Sequence, residues 1–344
     1  MFLVSHCVYA ATVDGTVQAG ARTSPESAIQ VPSAWEGEFE PSALVYADVR
    51  ARFGKTAGPW ARLELGGWGY APDLDASLAL GGVGVGWGGA VGPADVSLAG
   101  RYDGQWFPLL NVATNGRAEV IARARYDAKA WGISGQFTGV DRRFVGATGF
   151  TTGELGVVAS LTPAPAFAVD VGASGQANHG VGPVGGQLRT IERVRVGAKA
   201  WRFALEHRFV WALEGESEEE TRPAFTPVGD YADDVDALSG GGFVQHRFSA
   251  SGVVTAGKWT VTAGGFGRFR SAEEEEEEEV AFVRSFGGQA RVQRTLSPAV
   301  ELFGAGGAVG ATRGSGQGFV DGFGWVGVEL HAAPKPKPAP VSTP

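Results

Sequence analysis

Apolar and polar residues alternate with a period of two along most of the chain. In RAEVIARARYDAKA, Ala118, Val120 and Tyr126 fall on one face of an extended strand, and Glu119 and Arg123 fall on the other. The segments SALVYADVRARF and WRFALEHRFVWAL show the same division. No long stretch keeps a 3.6-residue period, and no apolar run reaches the ~18 residues of a membrane-spanning helix. The pattern predicts an all-β chain whose strands each have one apolar and one charged face.

Sixteen segments with this alternation can be separated along the chain. They begin near Val13, Ser42, Pro59, Asp75, Ala94, Arg117, Trp131, Glu154, Phe167, Arg189, Trp201, Phe243, Trp259, Val280, Ala299 and Phe319. Short connections such as VGP and TPAPA alternate with longer ones such as FPLLNVATNG and the stretch from Glu214 to Gly241. Because strands joined by tight hairpins run antiparallel, the short connections should share one end of the sheet and the long ones the other.

The near-repeat Ala-Lys-Ala-Trp marks two of the short connections, and AGKW marks a third. With Lys129-Ala130 as the turn, Tyr126 pairs with Ile133 on the apolar face. The lysine then lies at an aqueous rim, and the tryptophan begins the next strand where the aromatic girdle of a membrane barrel would lie. The repeat is therefore interpreted as a hairpin solution used more than once.

The same turns predict contacts between charged residues. At the second repeat, Arg193 faces Glu206 directly, and opposite charges in that position stabilise a sheet by about 0.2–1 kcal/mol. At AGKW, Arg247 faces Arg268, with Arg270 nearby. Like charges side by side are unfavourable, so this cluster is expected to need water, an acid from a loop or an anionic ligand.

Charge divides between the two kinds of connection. All six lysines lie at short connections or in the C-terminal tail, whereas three long connections hold more than half of the 37 acidic residues. One of them contains the run EEEEEEE, which is typical of a solvated loop. These loops predict a negative potential at one mouth, which attracts cations and makes divalent cations candidate ligands there.

The two faces of the strands point to a membrane. The charged face carries too many arginines and acids to form a core, so the apolar faces must meet either a second sheet or lipid. In hydrocarbon, only helices and closed barrels satisfy every backbone polar group. We therefore predict a closed antiparallel transmembrane β-barrel of about 16 strands, with short periplasmic turns and longer acidic extracellular loops.

In this architecture the sequence resembles the bacterial outer-membrane β-barrel proteins of the porin-like kind, over roughly Val13 to Ala332. The resemblance implies a bacterial outer-membrane location in a Gram-negative cell, with lipid and lipopolysaccharide as its surroundings. Three departures are visible, one of which is that the final strand does not end the chain with an aromatic residue. The connection from Phe107 to Gly116 is too short to resemble an inward-folded constriction loop, and the final strand is followed by the tail APKPKPAPVSTP.

The chain is predicted to have three parts. Residues 1–10 are the remnant of a signal peptide, residues 11–332 form the barrel, and residues 333–344 form a Pro/Lys-rich periplasmic tail. The opening is apolar and ends in Val-Tyr-Ala, a small-residue cleavage pattern after Ala10. The chain has one cysteine, Cys7, so it has no disulfide framework.

The function expected from this organisation is passive diffusion of small hydrophilic solutes or ions. The alternative is a non-conducting barrel that acts in surface binding or adhesion through its acidic loops. Both functions are compatible with a homo-oligomer. The predicted pore-lining residues are Arg50, Glu64, Arg101, Arg123, Arg125, Arg193, Arg195, Glu206, Arg208, Arg247, Arg268 and Arg270.

Other chemistries find little support. GVGWGG at Gly84 to Gly89 matches a dinucleotide fingerprint, but more strand follows it instead of a helix. None of the five histidines has metal-ligand spacing with another histidine or an acid, and His207 and His246 are placed on the outer face near the membrane interface. A net charge of −8 argues against a nucleic-acid partner. We expect no enzymatic activity, no cofactor and no metal.

Overall fold

The computed structural model describes residues 11–22, 42–54, 57–71, 77–107, 112–144, 150–179, 186–213, 224–225, 231–232, 243–272, 284–312 and 318–332. The predicted signal-peptide remnant, the tail 333–344, Cys7, the glutamate run and most of the other acidic loop residues lie outside these ranges. Within them, no helix is long and apolar enough to cross a membrane.

Sixteen strands close into one antiparallel barrel, as the alternation predicted. They are β1 (Ala11–Arg22), β2 (Ser42–Gly54), β3 (Gly58–Ala71), β4 (Leu78–Val91), β5 (Ala94–Phe107), β6 (Val112–Asp127), β7 (Trp131–Phe144), β8 (Phe150–Ala164), β9 (Phe167–His179), β10 (Gly186–Ala198), β11 (Trp201–Ala212), β14 (Phe243–Ala256), β15 (Trp259–Ala272), β16 (Arg284–Ser297), β17 (Val300–Thr312) and β18 (Gly318–His331). The two-residue strands β12 (Ala224–Phe225) and β13 (Tyr231–Ala232) form a separate pair. Successive barrel strands are neighbours, and β1 pairs with β18 to close the cylinder.

Strand boundaries follow the sequence pattern closely, with a few shifts. The predicted starts at Ser42, Ala94, Trp131, Phe167, Trp201, Phe243 and Trp259 are those of the structure. β6 begins at Val112 and not near Arg117, because it continues past an irregularity between Gln105 and Trp106 of β5 where the alternation breaks. The starts predicted near Asp75 and Val280 lie outside the described residues, and the strands are described from Leu78 and Arg284.

Tight hairpins gather at one end of the barrel, which we call the short-turn end. Tyr126 pairs with Ile133 in the first repeat, so the predicted register is confirmed. Gly92 and Gly257 have φ values of 60° and 61° in their turns, a backbone conformation that side chains other than glycine rarely adopt. β1 starts and β18 ends at this same end, where the amide of Ala332 donates to the carbonyl of Val13 at 2.7 Å. The opposite end carries the longer connections and is called the loop end.

The outer face is a continuous belt of exposed apolar side chains. Val45, Leu205 and Val326 are 57%, 62% and 67% exposed, and every barrel strand contributes members of this kind. Trp131 and Trp201 begin strands at the short-turn end, where aromatic side chains suit the membrane interface. Such a surface requires hydrocarbon around it.

The inner face is divided into two unlike regions. On β5, β6 and β7, which we call the exposed wall, the inward arginines at 101, 123 and 125 are open to solvent. On β14 to β18, β1 and β2, which we call the packed wall, a few inward side chains such as Asp14, Arg52 and Ser251 are exposed, but many others are enclosed. The enclosed side chains include Gln18, Tyr46, Asp48, Gln245, Arg268, Arg270, Ser285, Glu301, Phe303, Val309, Phe323 and Trp325. The inner face is therefore more closely packed along this wall than along β5 to β7.

Glycines explain how the packed wall holds its aromatic rings. Four inner rings of the packed wall lie directly opposite a glycine of the neighbouring strand, and a Cβ built on that glycine would come within 2.5 to 2.9 Å of the ring. The pairs are Trp325 with Gly20, Phe303 with Gly327, Phe323 with Gly307, and Phe266 with Gly287. Because no side chain stands in that place, each ring lies against the wall instead of projecting across the barrel.

Candidate functional site: the inner wall

All twelve predicted pore-lining side chains lie on the inner face. Alternation along each strand fixes this, since their sequence neighbours belong to the exposed apolar belt. The structure distributes them into a group on β2 and β3, a group on the exposed wall, a group on β10 and β11, and an arginine cluster on β14 and β15.

The first group is an ion-pair network. Nε of Arg50 lies 2.9 Å from Oε1 of Glu64 and 2.8 Å from Oδ2 of Asp48. Arg62 also pairs with Glu64. The guanidinium of Arg52 lies 5.1 Å from the centre of the Trp60 ring, a cation–π contact. The contacts of Arg50 with Glu64 and of Arg52 with Trp60 join β2 to β3, so these charges stabilise the wall as well as face the lumen.

β4 supplies the recess beside this network. Its GVGWGG segment is part of a strand, so the dinucleotide motif has no helix to complete it. Gly84 and Gly86 face inward beneath Arg62 and Trp60 of β3, and a Cβ at either position would meet the Trp60 ring. Neighbouring side chains therefore lean over the bare backbone of β4, as expected for a strand glycine approached closely.

The exposed wall carries three arginines with different partners. Arg101 pairs with Asp103 at 2.5 Å, and Arg125 pairs with Asp127 at 2.7 Å. Nε of Arg123 instead donates to the amide oxygen of Gln136 at 2.6 Å. A carboxylate offsets the charge of the first two, whereas an amide leaves the charge of Arg123 uncompensated by this contact.

The third group matches the predicted register. Arg193 faces Glu206 across the β10–β11 hairpin, and its Nε donates to Oε2 at 2.7 Å. Glu206 also accepts from Arg208 at 3.1 Å. Arg195 lies 2.8 Å from Asp170 of β9. Arg193 and Arg208 thus share one carboxylate on β11, and Arg195 pairs with a carboxylate on β9.

The arginine cluster is brought together as predicted but is held differently. Arg247 and Arg268 are directly opposite. Nε of Arg268 donates to Oγ of Ser285 at 2.8 Å, and Arg270 donates to Oε1 of Gln245 at 3.0 and 3.1 Å. The neighbouring rings add cation–π contacts, Arg247 over Phe266 at 5.0 Å and Arg270 over Phe243 at 4.0 Å. Neutral acceptors and ring faces, which the sequence analysis did not consider, therefore contact these charges.

Several inner-wall residues were missed. The rings of the packed wall and the polar residues Asp14, Glu329 and His331 were not assigned, although the period of two in GFGWVGVELH would have placed Trp325, Glu329 and His331 on one face. The barrel brings His331 against Glu301 and Glu329. Spacing along the chain could not show this convergence, because β17 and β18 contribute different members.

The outer face carries a polar cluster around His207 and His246, the two histidines predicted to lie there. Nδ1 of His207 lies 2.6 Å from Oε2 of Glu192, and Nε2 lies 3.1 Å from Nδ1 of His246. The His207 ring stacks on Phe248 with centroids 4.6 Å apart. His207 is near the middle of β11, whereas His246 is the fourth residue of β14 and lies close to the loop end. Mutual hydrogen bonds and ring stacking accommodate the two imidazoles on the apolar face.

Comparison with known proteins agrees with the barrel. No protein-family model matches the chain, and no curated protein matches it. Among solved structures, the chain is similar to a protein described as a bacterial polysaccharide outer membrane secretin, with a TM-score of 0.50, 8% identity and coverage of 94% of this chain and 98% of that one. It is similar to CdiB from Acinetobacter baumannii with a TM-score of 0.52 and 7% identity, over 93% of this chain and 60% of CdiB. An anion-selective porin from Comamonas acidovorans aligns with a TM-score of 0.48 and 9% identity, over 94% and 99% of the two chains.

At identities this low, the similarities establish the fold alone. The closed barrel, its apolar exterior and its charged interior together define a porin-like β-barrel of the bacterial outer membrane.

Proposed function

We propose that this barrel is a channel for the passive diffusion of small hydrophilic solutes or ions. The observation that carries the proposal is the exposed wall. Side chains of Arg101 and Arg125 are 45% and 64% exposed although they point into a closed cylinder. Barrels of 16 strands are wide enough to leave an aqueous channel, so the exposure of these arginines supports a passage along β5 to β7.

The packed wall narrows the passage without supplying its chemistry. Its rings lie over glycines, and its charges are held by neighbours on the same wall. Solutes would therefore meet the exposed wall, where Arg123 contributes a positive charge next to the neutral Gln136. Fixed charges lining a lumen tune its selectivity, so Arg123 favours anions at that height.

Adhesion through the acidic connections is the alternative function from the sequence. Those connections lie outside the described residues, so no contact in the structure favours it. An outer-membrane enzyme is a third class, for which the inner wall supplies no argument.

Planar-bilayer recording separates the channel from the non-conducting alternative. Purified protein is first shown to be folded by its heat-modifiable mobility on a gel, and is then added to a bilayer separating salt solutions. Stepwise ion currents are expected. Folded protein that inserts but passes no current would overturn the proposal.

A further inference from the structure

Two carboxylates and an imidazole converge on the inner face at the short-turn end of β17 and β18. Glu301 and Glu329 are directly opposite one another, and His331 is the next inward residue of β18. One potential ligand atom from each of the three lies within 4.8 Å of the other two. Glu301 is buried and His331 is largely enclosed, so the group forms a recess in the wall and not a surface patch.

The imidazole is oriented by a carboxylate outside this group. Nδ1 of His331 lies 2.7 Å from Oδ1 of Asp14 on β1. An ionised carboxylate only accepts hydrogen bonds, so Nδ1 carries the proton and, in the neutral ring, Nε2 carries the lone pair. This is the arrangement in which an outer carboxylate fixes the tautomer of a metal-binding histidine.

Nε2 of His331 gives separate evidence for a bound ion. It is inaccessible to solvent and has no hydrogen-bond partner among the described residues. The nearest acidic atom, Oε2 of Glu301, is 3.8 Å away, which is too long for a hydrogen bond. Two ligands that each bind one ion at about 2.0–2.2 Å can be separated by this distance.

The two glutamates are positioned as ligands would be. Nε2 of Gln293 donates to both carboxylates, and it lies 3.0 Å from Oε2 of Glu329. Arg291 donates to Oε1 of Glu329 at 2.6 Å, and Thr295 donates to Oε1 of Glu301 at 3.2 Å. Each carboxylate has about four lone-pair sites, and these bonds orient its oxygens. Arg291 offsets one of the two negative charges, and a cation bound beside His331 would offset the other.

We propose that Glu301, Glu329 and His331 bind a divalent transition-metal ion of the Zn²⁺ type at the short-turn mouth of the barrel. One imidazole and two carboxylates form a ligand set that suits such ions, whereas Mg²⁺ and Ca²⁺ prefer oxygen ligands alone. Asp14 is a positioning residue that holds the imidazole. The metal site is formed by residues of the packed wall and does not require conduction, so it can be tested independently of the channel function.

Isothermal titration of the folded protein in detergent with Zn²⁺ tests the site. A binding event with one ion per chain is expected, and Mg²⁺ should not compete with it. His331→Gln and Glu301→Gln should each weaken binding by at least about 100-fold, and Asp14→Asn by about 10–100-fold, the usual cost of an outer-shell change. His179→Gln, at an exposed histidine ending β9, is the matched control and should leave the affinity unchanged.

Several results would overturn the proposal. Absence of Zn²⁺ binding to the folded barrel is one, and binding that survives both ligand variants is another, because it would belong elsewhere on the chain. Each variant must keep the heat-modifiable mobility of the folded barrel. If Glu301→Gln does not fold, Glu329→Gln replaces it. Bound Co²⁺ provides a second measurement: its absorption bands should change in His331→Gln if the imidazole is a ligand.

Discussion

Arg193 and Glu206 face each other across the β10–β11 hairpin, with Nε of the arginine 2.7 Å from Oε2 of the glutamate. Both side chains are only partly enclosed, so the pair contributes about 0.2–1 kcal/mol to stability. Its larger effect is on the field of the lumen, because Glu206 also holds Arg208. One carboxylate therefore offsets part of the charge of two inner arginines.

Removing that carboxylate should make the channel more anion-selective. In Glu206→Gln, Arg193 and Arg208 keep their positions but lose the shared negative charge, so the reversal potential in a salt gradient should move towards that of anions. Adding Arg193→Ala should move it back. Glu192→Gln is the control, since this neighbouring acid points to the outer face. Equal shifts for Glu192→Gln and Glu206→Gln would contradict the assignment of the two faces.

Removing the charge of Arg123 should have the opposite effect on the ion selectivity of the channel. Arg123→Gln removes the one exposed-wall arginine among positions 101, 123 and 125 whose hydrogen-bond partner in the structure is an amide, and anion permeability should fall relative to that of cations. Arg294→Gln provides the comparison, because Arg294 lies on the outer face over Trp259. If single-channel conductance and selectivity are the same in wild type and Arg123→Gln, solutes do not pass along the exposed wall.

Replacing Gly307 by alanine should destabilise the barrel, whereas replacing Gly324 should not. A Cβ on Gly307 would meet the carbonyl oxygen of Gly288 at 2.6 Å and the Phe323 ring at 2.9 Å, whereas Gly324 has open space around it. Gly307→Ala should lower the free energy of unfolding by about 1–3 kcal/mol, the usual cost of overpacking. Gly324→Ala should change it by no more than about 0.5 kcal/mol. Urea titration of the refolded barrel in detergent or lipid measures both, and equal stabilities would show that the ring does not lie over Gly307.

Neighbouring residues of β14 should respond very differently to arginine. Ala250 lies on the outer face opposite Leu205, and Ser251 lies on the inner face opposite Ala204. Ala250→Arg places a charge in hydrocarbon and should cost about 2–4 kcal/mol near the membrane midplane. Ser251→Arg reaches the lumen and should cost less than about 1 kcal/mol. Unfolding in lipid vesicles gives both values, and the reverse order would mean that inside and outside have been exchanged.

The sequence by itself determined the barrel class, the sixteen barrel strands and much of the register. A period of two assigns each side chain to a face locally, so Arg193 could be placed opposite Glu206 from the turn alone. The same logic put the predicted arginines on the inner face, and it would have put Trp325 there had the last strand been followed.

Only the tertiary structure decided which inward residues are wet and which are enclosed. Alternation cannot tell the exposed wall from the packed wall, because that difference depends on contacts that reach beyond one hairpin, such as that of Arg291 on β16 with Glu329 on β18. It also could not bring His331 to Asp14, which are 317 residues apart in the chain. Closure of β18 onto β1 creates that contact, and no local pattern encodes where a cylinder closes.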